Sequence, residues 1–418
     1  MRCQNPIDTA QQQEHELLAL RYFKHPEIVE ERERLQAYWV QLAKPSAVMR
    51  RAMDWAFEEV MFGAVVWALN QDPLYPRVIT ITRLLHRIKA QVIPGSRWGI
   101  DNPDSVYRVI PVASSERYLI RGRVAERRLV ENYFTLWSNT MQTVGLLDGK
   151  DLVIDEDGFF EISVDADPAG DRVNHVQLAA DAHEFYIRDV IADWGADRPN
   201  ELSVERLGAP PPRDPWDERA NLERIKTYME RWATNTTRWN GQALNRPAND
   251  FSFTIDRDSD GALRNQIYIM GHFLLPDAET AMVIDVNMGG AEYFIAPITN
   301  CWGTSNEIVH RNGCLNHSQA LPNADGTYTF VLSMRDPGVH NWLDPTDMPE
   351  GILTLRWAEF PDDRPGDDLG VSSQLVSLAE LDTVLAADTP RVDAEARKQQ
   401  LAARAESYRW RLETGVQL

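Results

Sequence analysis

Cysteine is scarce: the 418 residues hold three, Cys3, Cys301 and Cys314, with no C-x-x-C pair among them. An odd, sparse set excludes a disulfide framework and a cysteine-rich zinc site, and it points to structural thiols in a reducing compartment. Long apolar runs are missing as well. The strongest, Val60 to Leu69, is well under the roughly 20 residues that a bilayer-spanning helix needs and reads as a buried helix. Basic charge is in deficit, 43 Lys and Arg against 63 Asp and Glu, for a formal net charge of −20. That balance repels phosphates and anionic lipid, so neither nucleic acid nor a membrane is an expected partner. The start, "MRCQNPIDTAQQQEHE", lacks the pattern of a secretory signal, and a cytoplasmic location is expected. Absent too are a nucleotide-binding glycine signature, a G-x-S-x-G elbow and close-spaced histidine pairs such as H-E-x-x-H. Nothing local therefore supports a nucleotide cofactor, an α/β-hydrolase serine or a zinc site, and the expectation is no cofactor and no metal. A triad assembled from distant parts of the chain stays open, because triads are defined by geometry and not by order.

What is present is a globular composition, 43% hydrophobic, with thirteen Trp, twelve Tyr and thirteen Phe. The pattern divides into six stretches. Residues 1–95 read as helical: in "EIVEERERLQAYWVQLA", Ile28, Leu35, Trp39 and Leu42 fall on one stripe of a 3.6-residue period. Residues 96–207 read as short strands, in "SVYRVIPV", "RYLIRGRV", "NYFTLWS", "LVI" and "FFEISV", with Asp157-Gly158 as a hairpin turn between the last two. Residues 208–216 contain three consecutive prolines and read as a stiff linker at a domain seam. Residues 217–249 carry a helix with Leu222, Ile225, Met229 and Trp232 on one face. Residues 250–362 form a second strand unit. Residues 363–418 hold an acidic loop and C-terminal helices, the last opening at Thr389-Pro390. The expected fold class is α+β, an antiparallel β-sandwich or jelly-roll-like core with N-terminal, central and C-terminal helices.

Two candidate stretches carry bland readings. Asp256, Asp258, Asp260 and Gly261 begin like a calcium loop, but Ile267 stands where the bidentate glutamate belongs, so a hairpin turn is expected. In "SMRDPGVHNWLDP" a type II turn at Asp336-Pro337-Gly338 accounts for the first half. His340, Asn341 and Trp342 then begin a polar loop leading to "ILTLRW", whose Arg356 faces away from Leu353, Leu355 and Trp357. Arg335 and Arg356 are expected on neighbouring strands near this loop, a usual setting for function. In "WGIDNPDSVYRVIPV", Asn102 and Asp104 frame Pro103 before a strand with Tyr107 and Arg108.

These segments, with "RYLIRGRV", "HEFYIRDVIADWGADRPNELSVERL" and "LNHSQA", resemble the bacterial family known as domain of unknown function 1214 (DUF1214), over most of Trp98 to Phe360. The resemblance implies a β-rich sandwich with accessory helices, and Asn102, Tyr107, Arg188, Asp336, Asn341, Trp342 and Arg356 match the family pattern. It implies no reaction.

The resulting expectation is an enzyme acting on an apolar small molecule, a terpenoid, steroid or aromatic metabolite, by acid/base hydrolysis, elimination or isomerisation without a redox cofactor. Asp336, His340 and Tyr107 are its candidate catalytic groups; Asn102, Arg188, Asn341, Trp342 and Arg356 are its candidate binding groups. The alternatives are a non-catalytic sandwich that binds carbohydrate or lipid, and an oligomeric scaffold built on the terminal helix, where Leu401, Tyr408 and Leu412 face one way.

Overall fold

The structure is a computed structural model that describes residues 5–97, 99, 101–251 and 266–413. The Asp256–Gly261 stretch lies outside the described residues.

The chain opens with α1 (Ala10–Phe23), α2 (Pro26–Ala43), the single turn α3 (Ala47–Arg50) and α4 (Met53–Ala68). Thr9 and Ser46 cap α1 and α3 by accepting backbone N–H bonds, and Pro26 starts α2 where a missing N–H costs nothing. From Val60 onward helix α4 is apolar all round and buried, as such a segment must be, while Asp54 and Glu58 in its first turns are exposed. Gly63 lets it approach the next segment, because a Cβ there would lie 2.6 Å from the Ser96 carbonyl oxygen.

Eleven strands follow: β1 (Ile79–Thr80), β2 (His86–Ile88), β3 (Gln91–Ile93), β4 (Ser105–Pro111), β5 (Arg117–Arg123), β6 (Asn132–Ser138), β7 (Thr143–Asp148), β8 (Phe159–Asp165), β9 (His175–Gln177), β10 (Ala182–Val190) and β11 (Glu201–Leu207). Sheet β1-β4-β10-β6-β7 packs on sheet β11-β5-β8-β9. Between them lie Ile110, Phe134, Leu136, Phe185 and Ile187 against Tyr118, Ile120, Phe160 and Ile162. The stretch Leu152–Ile154 is not a strand; β7, with its mixed exposure, fills that place in the order. Strand β8 pairs with β5, so Gly158, at φ 83°, turns the chain without making the expected hairpin.

After the proline segment comes α5 (Glu218–Leu244), then β12 (Gln266–Leu274), β13 (Thr280–Asn287), β14 (Tyr293–Thr299), β15 (Cys314–Asn316), β16 (Tyr328–Ser333), β17 (Trp342–Leu343), β18 (Glu350–Ala358) and β19 (Gly370–Ser377). Sheets β12-β18-β14-β15 and β17-β16-β13-β19 make a second sandwich around Phe294, Phe330, Leu332, Leu355 and Trp357. Residues 370–377 thus belong to this sandwich as an edge strand, not to a C-terminal loop. Strands β16 and β18 lie in different sheets, so Arg335 and Arg356 are not on neighbouring strands; Arg335 is exposed and pairs with Glu279.

The α+β class with antiparallel sandwiches is what the chain adopts, with two parallel pairs, β8–β9 and β16–β17. Helices α1, α2, α4 and α5 share one apolar cluster, and it reaches Tyr107, Val109, Trp137 and Tyr186 of the first sandwich and Trp302 and Met348 of the second unit. The proline segment therefore joins parts that are packed together, with Arg213 bound through two contacts to Asp72 (2.7 and 2.8 Å).

The chain ends with α6 (Leu381–Val384) and α7 (Ala394–Leu412). Helix α7 is capped by Asp393, not by Thr389; Arg391 still makes an extended bridge to Val339 and the Pro390 carbonyl accepts from His340 N–H, which holds the chain extended. Its buried face is Arg397, Arg404, Tyr408 and Arg411, while Leu401 and Leu412 are only half-buried. The helix packs on its own chain, and it does so mainly through guanidinium groups bound to backbone carbonyls and indole rings. Among the described residues no helix is long and apolar enough to cross a membrane.

Candidate functional site

Strand alternation puts Tyr107 and Val109 of β4, Glu184, Tyr186 and Arg188 of β10, and Tyr133, Thr135 and Trp137 of β6 on the face of the first sandwich that points away from its own core. The register sets Arg188 opposite both Tyr107 and Tyr133, and Tyr186 opposite Val109 and Thr135. The rings form a wall: Trp137 stacks on Tyr186 at 4.0 Å, with Tyr107 at 5.3 Å and Trp67 of α4 at 5.9 Å from the same ring.

The second sandwich contributes Arg356 and Tyr293 to the same region. Arg356, on the outer face of β18, reaches back to bind Glu131 through one nitrogen at 2.8 and 3.1 Å, and both side chains are buried. Its guanidinium lies 5.4 and 5.9 Å from the Tyr268 and Tyr293 rings. Burial raises the Tyr107 phenol, with the Arg356 and Arg188 guanidiniums opposing that shift. Tyr107 thus stays protonated at neutral pH. Arg188 leans on the Tyr186 ring at 5.1 Å, and its Nη1 is buried without a hydrogen-bond partner among the described residues.

The turn before β4 completes the cluster. Asn102 donates its backbone N–H to the Tyr107 hydroxyl (3.0 Å) and its side-chain amide to Tyr293 (2.9 Å). Asp104 is fully buried and saturated: its Oδ1 accepts from Trp194 (2.7 Å), and its Oδ2 from Tyr293 and Asn316 (2.8 Å each). Such a satisfied network joins the two sandwiches and leaves no atom free for chemistry. Asp101 differs. It is buried, its Oδ1 has no partner among the described residues, and burial pushes its carboxyl up to about 6, with Arg97 opposing and Glu59 reinforcing. Its charge is felt at Tyr186 and Tyr408.

The structure therefore brings together Asn102, Tyr107, Arg188 and Arg356. Asp336, His340, Asn341 and Trp342 lie elsewhere, and each has a structural partner. Asp336 caps its own turn through Gly338 N–H (2.9 Å) and binds Arg397 of α7 (2.9 and 3.1 Å). His340, held neutral by burial, contacts the Gln319 carbonyl and Gln400 at 3.2 Å each. Asn341 is fully buried and clamps backbone: Oδ1 accepts from Leu321 N–H (2.8 Å), and Nδ2 donates to the Leu321 and Thr329 carbonyls (2.8 and 3.1 Å). Trp342 donates to the Ser333 carbonyl (2.9 Å) and sits under Arg397. Asp336, His340 and Trp342 dock the start of α7, while Asn341 ties the Leu321 loop to β16. The other end of α7 reaches the Asn102 turn, where Arg411 binds the Pro103 and Asp104 carbonyls at 2.7 and 3.0 Å. Arg397 and Arg411 are fourteen rises apart along α7, about 21 Å, so the helix meets the two loops at its opposite ends.

Glu131, Tyr186, Tyr293 and Asp101 escaped the sequence reading. Asp101 stood beside Asn102 in "GIDNPD", where a turn reading accounts for it and no separate signal marks it. Tyr186 lies between Glu184 and Arg188 at strand spacing in "HEFYIRDV", which marks one polar face. No signal links Glu131 or Tyr293 to Arg356 across more than sixty positions. Among the described residues no group of three or more His, Cys, Asp or Glu is placed to hold a metal ion; Cys301 and Cys314 are free and buried, with thiols raised by burial.

No family model and no curated protein matches the chain. Among solved structures it is similar to an uncharacterized protein from Burkholderia cenocepacia, with a TM-score of 0.70 and 23% identity over 86% of this chain and 99% of that one. It is also similar to the VPA0106 protein from Vibrio parahaemolyticus, with a TM-score of 0.44 and 11% identity over 78% of this chain and 99% of that one. The first likeness shows the shared α+β sandwich fold.

Proposed function

We propose that this chain is an acid–base enzyme for a small molecule with an apolar body and an oxygen-bearing or anionic end, acting at the buried junction of the two sandwiches. One observation carries the reading: Asn102 bonds Tyr107 and Tyr293, Arg188 stands in register opposite Tyr107, Arg356 lies over Tyr293, and Asp101 beside Asn102 has a buried Oδ1 with no partner among the described residues. The network around Asp104 is satisfied, whereas Asp101 joins an unpartnered buried oxygen to a raised carboxyl, the combination that makes a titratable group a site candidate.

In this reading the wall of Trp137, Tyr186 and Tyr107 takes the apolar body, Arg188 holds the anionic or carbonyl end, and Tyr107 steadies an oxygen as a neutral phenol. Asp101 exchanges the proton, since an acid titrating near 6 can both give and take one at neutral pH. Hydrolysis, elimination and isomerisation all fit these groups. A panel of aromatic, terpenoid and steroid esters, alcohols and carboxylic acids, followed by mass spectrometry, tests the proposal with the wild type and the Asp101→Asn variant in parallel. Conversion by the wild type that the variant lacks supports it. Conversion kept by the variant overturns the role of Asp101, and saturable binding without conversion favours the non-catalytic module.

A further inference from the structure

A small, partly open cavity of about 20 Å3 lies beside Asp101, lined by Thr82, Arg83, Asp101, Ser105 and Arg411 among others. It shares Leu84, Arg97 and Ile308 with an open groove of about 530 Å3 between α4, the loop after β1 and the Asn306–His310 segment. Thr82 Oγ1, Arg83 Nε and Nη2, Asp101 Oδ1 and Arg411 Nε are all buried with no hydrogen-bond partner among the described residues. Ser105 Oγ, on the same lining, is likewise buried with no hydrogen-bond partner among the described residues.

We propose that this cavity is a water site that relays protons between Asp101 and the groove. Its volume exceeds the roughly 10–15 Å3 that one water needs, and its polar lining supplies the two to four partners that hold one. Size and donor balance select water: the unpartnered guanidinium N–H groups of Arg83 and Arg411 need an acceptor and the Asp101 oxygen needs a donor, both of which one water supplies, and a polyatomic anion is too large for the cavity. Facing Asp101 from the packed elements are Arg97, Glu59 of α4, Tyr408 and Arg411 of α7, and Tyr186 of β10. Arg97 is committed to Glu59 at 2.6 and 2.8 Å and Arg83 to Glu16 at 2.8 Å, so neither competes for the proton. The water takes one proton on its groove side and gives a different one of its protons to the Asp101 carboxylate, so one O–H bond forms on the water as another breaks, the water ends neutral, and Asp101 ends protonated.

The functional meaning of this relay rests on the role of Asp101 proposed above, but the relay is tested separately. The infrared carbonyl band of protonated Asp101, identified by its loss in Asp101→Asn, is followed after transfer of the full chain to heavy water. In the wild type the band shifts promptly. Thr82→Leu, which fills the cavity, slows the shift by roughly tenfold, the rate equivalent of one lost hydrogen bond. An unchanged rate in folded Thr82→Leu overturns the relay while leaving the acid–base role of Asp101 standing. If that variant does not fold, a high-resolution crystal structure of the wild type decides: an ordered water within hydrogen-bond reach of Asp101 supports the relay, and a dry cavity overturns it.

Discussion

Replacing Asp101 by Asn should make this protein more stable at neutral pH. Asp101 is 4% exposed, and burial raises its carboxyl from the ordinary aspartate range to about 6. The folded chain therefore holds the proton over a range where the unfolded chain has released it. The stability contributed by that proton is complete below about pH 4 and is lost as the pH rises to about 6. At higher pH the fold carries a cost of about 3 kcal/mol for an ionised, buried and incompletely partnered carboxylate. The amide of Asn keeps the shape and never ionises. Urea unfolding should show Asp101→Asn more stable than wild type by up to about 3 kcal/mol near pH 7.5, and by about half as much near pH 5, with unchanged slopes. A variant less stable than wild type at both values, or an advantage that does not widen with pH, would refute the reasoning. A residue that destabilises its own fold is the signature of a group kept for chemistry.

Arg356→Met alone strands Glu131 as a buried charge and should cost about 3–5 kcal/mol, whereas Arg356→Met with Glu131→Gln should return close to wild type; a double-mutant cycle in urea measures both. Asn341→Ala leaves the Leu321 N–H unpaired and should cost about 1–3 kcal/mol by denaturation. Gly63→Ala pushes α4 off the Ser96 carbonyl and should cost about 1–3 kcal/mol, seen as a lowered melting temperature.

The fold class was legible because α2 and α5 follow a 3.6-residue stripe and β4, β5 and β6 lie in β-rich segments bounded by turn residues, although β4 and β6 are buried throughout and do not alternate; the stretch read as helical up to residue 95 ends in β1, β2 and β3, too short for either period to show. The helix start at Thr389-Pro390 misled because a capping residue before a proline is also how an extended bridge can run, and Val339 supplies the partner for one. Strand β7 escaped because it is an edge with a mixed face, so no clean alternation marks it. At the site, Asn102, Tyr107, Arg188 and Arg356 were all visible in sequence, but their meeting depends on how two sandwiches face each other. The loop from Asp336 to Trp342 drew notice by its polar density, and that density serves to dock an arginine-lined helix. Buried arginines on α7 have no separate sequence signature, since the same pattern reads as a solvated face.

The most direct test compares Arg188→Ala with Asp336→Ala for turnover of whichever panel compound the wild type converts. With the site at the junction of the sandwiches, Arg188→Ala loses most of the activity, and Asp336→Ala keeps it while its α7 amides exchange faster. Activity retained by Arg188→Ala and lost by a folded Asp336→Ala would contradict the account and return the site to the Asp336 loop.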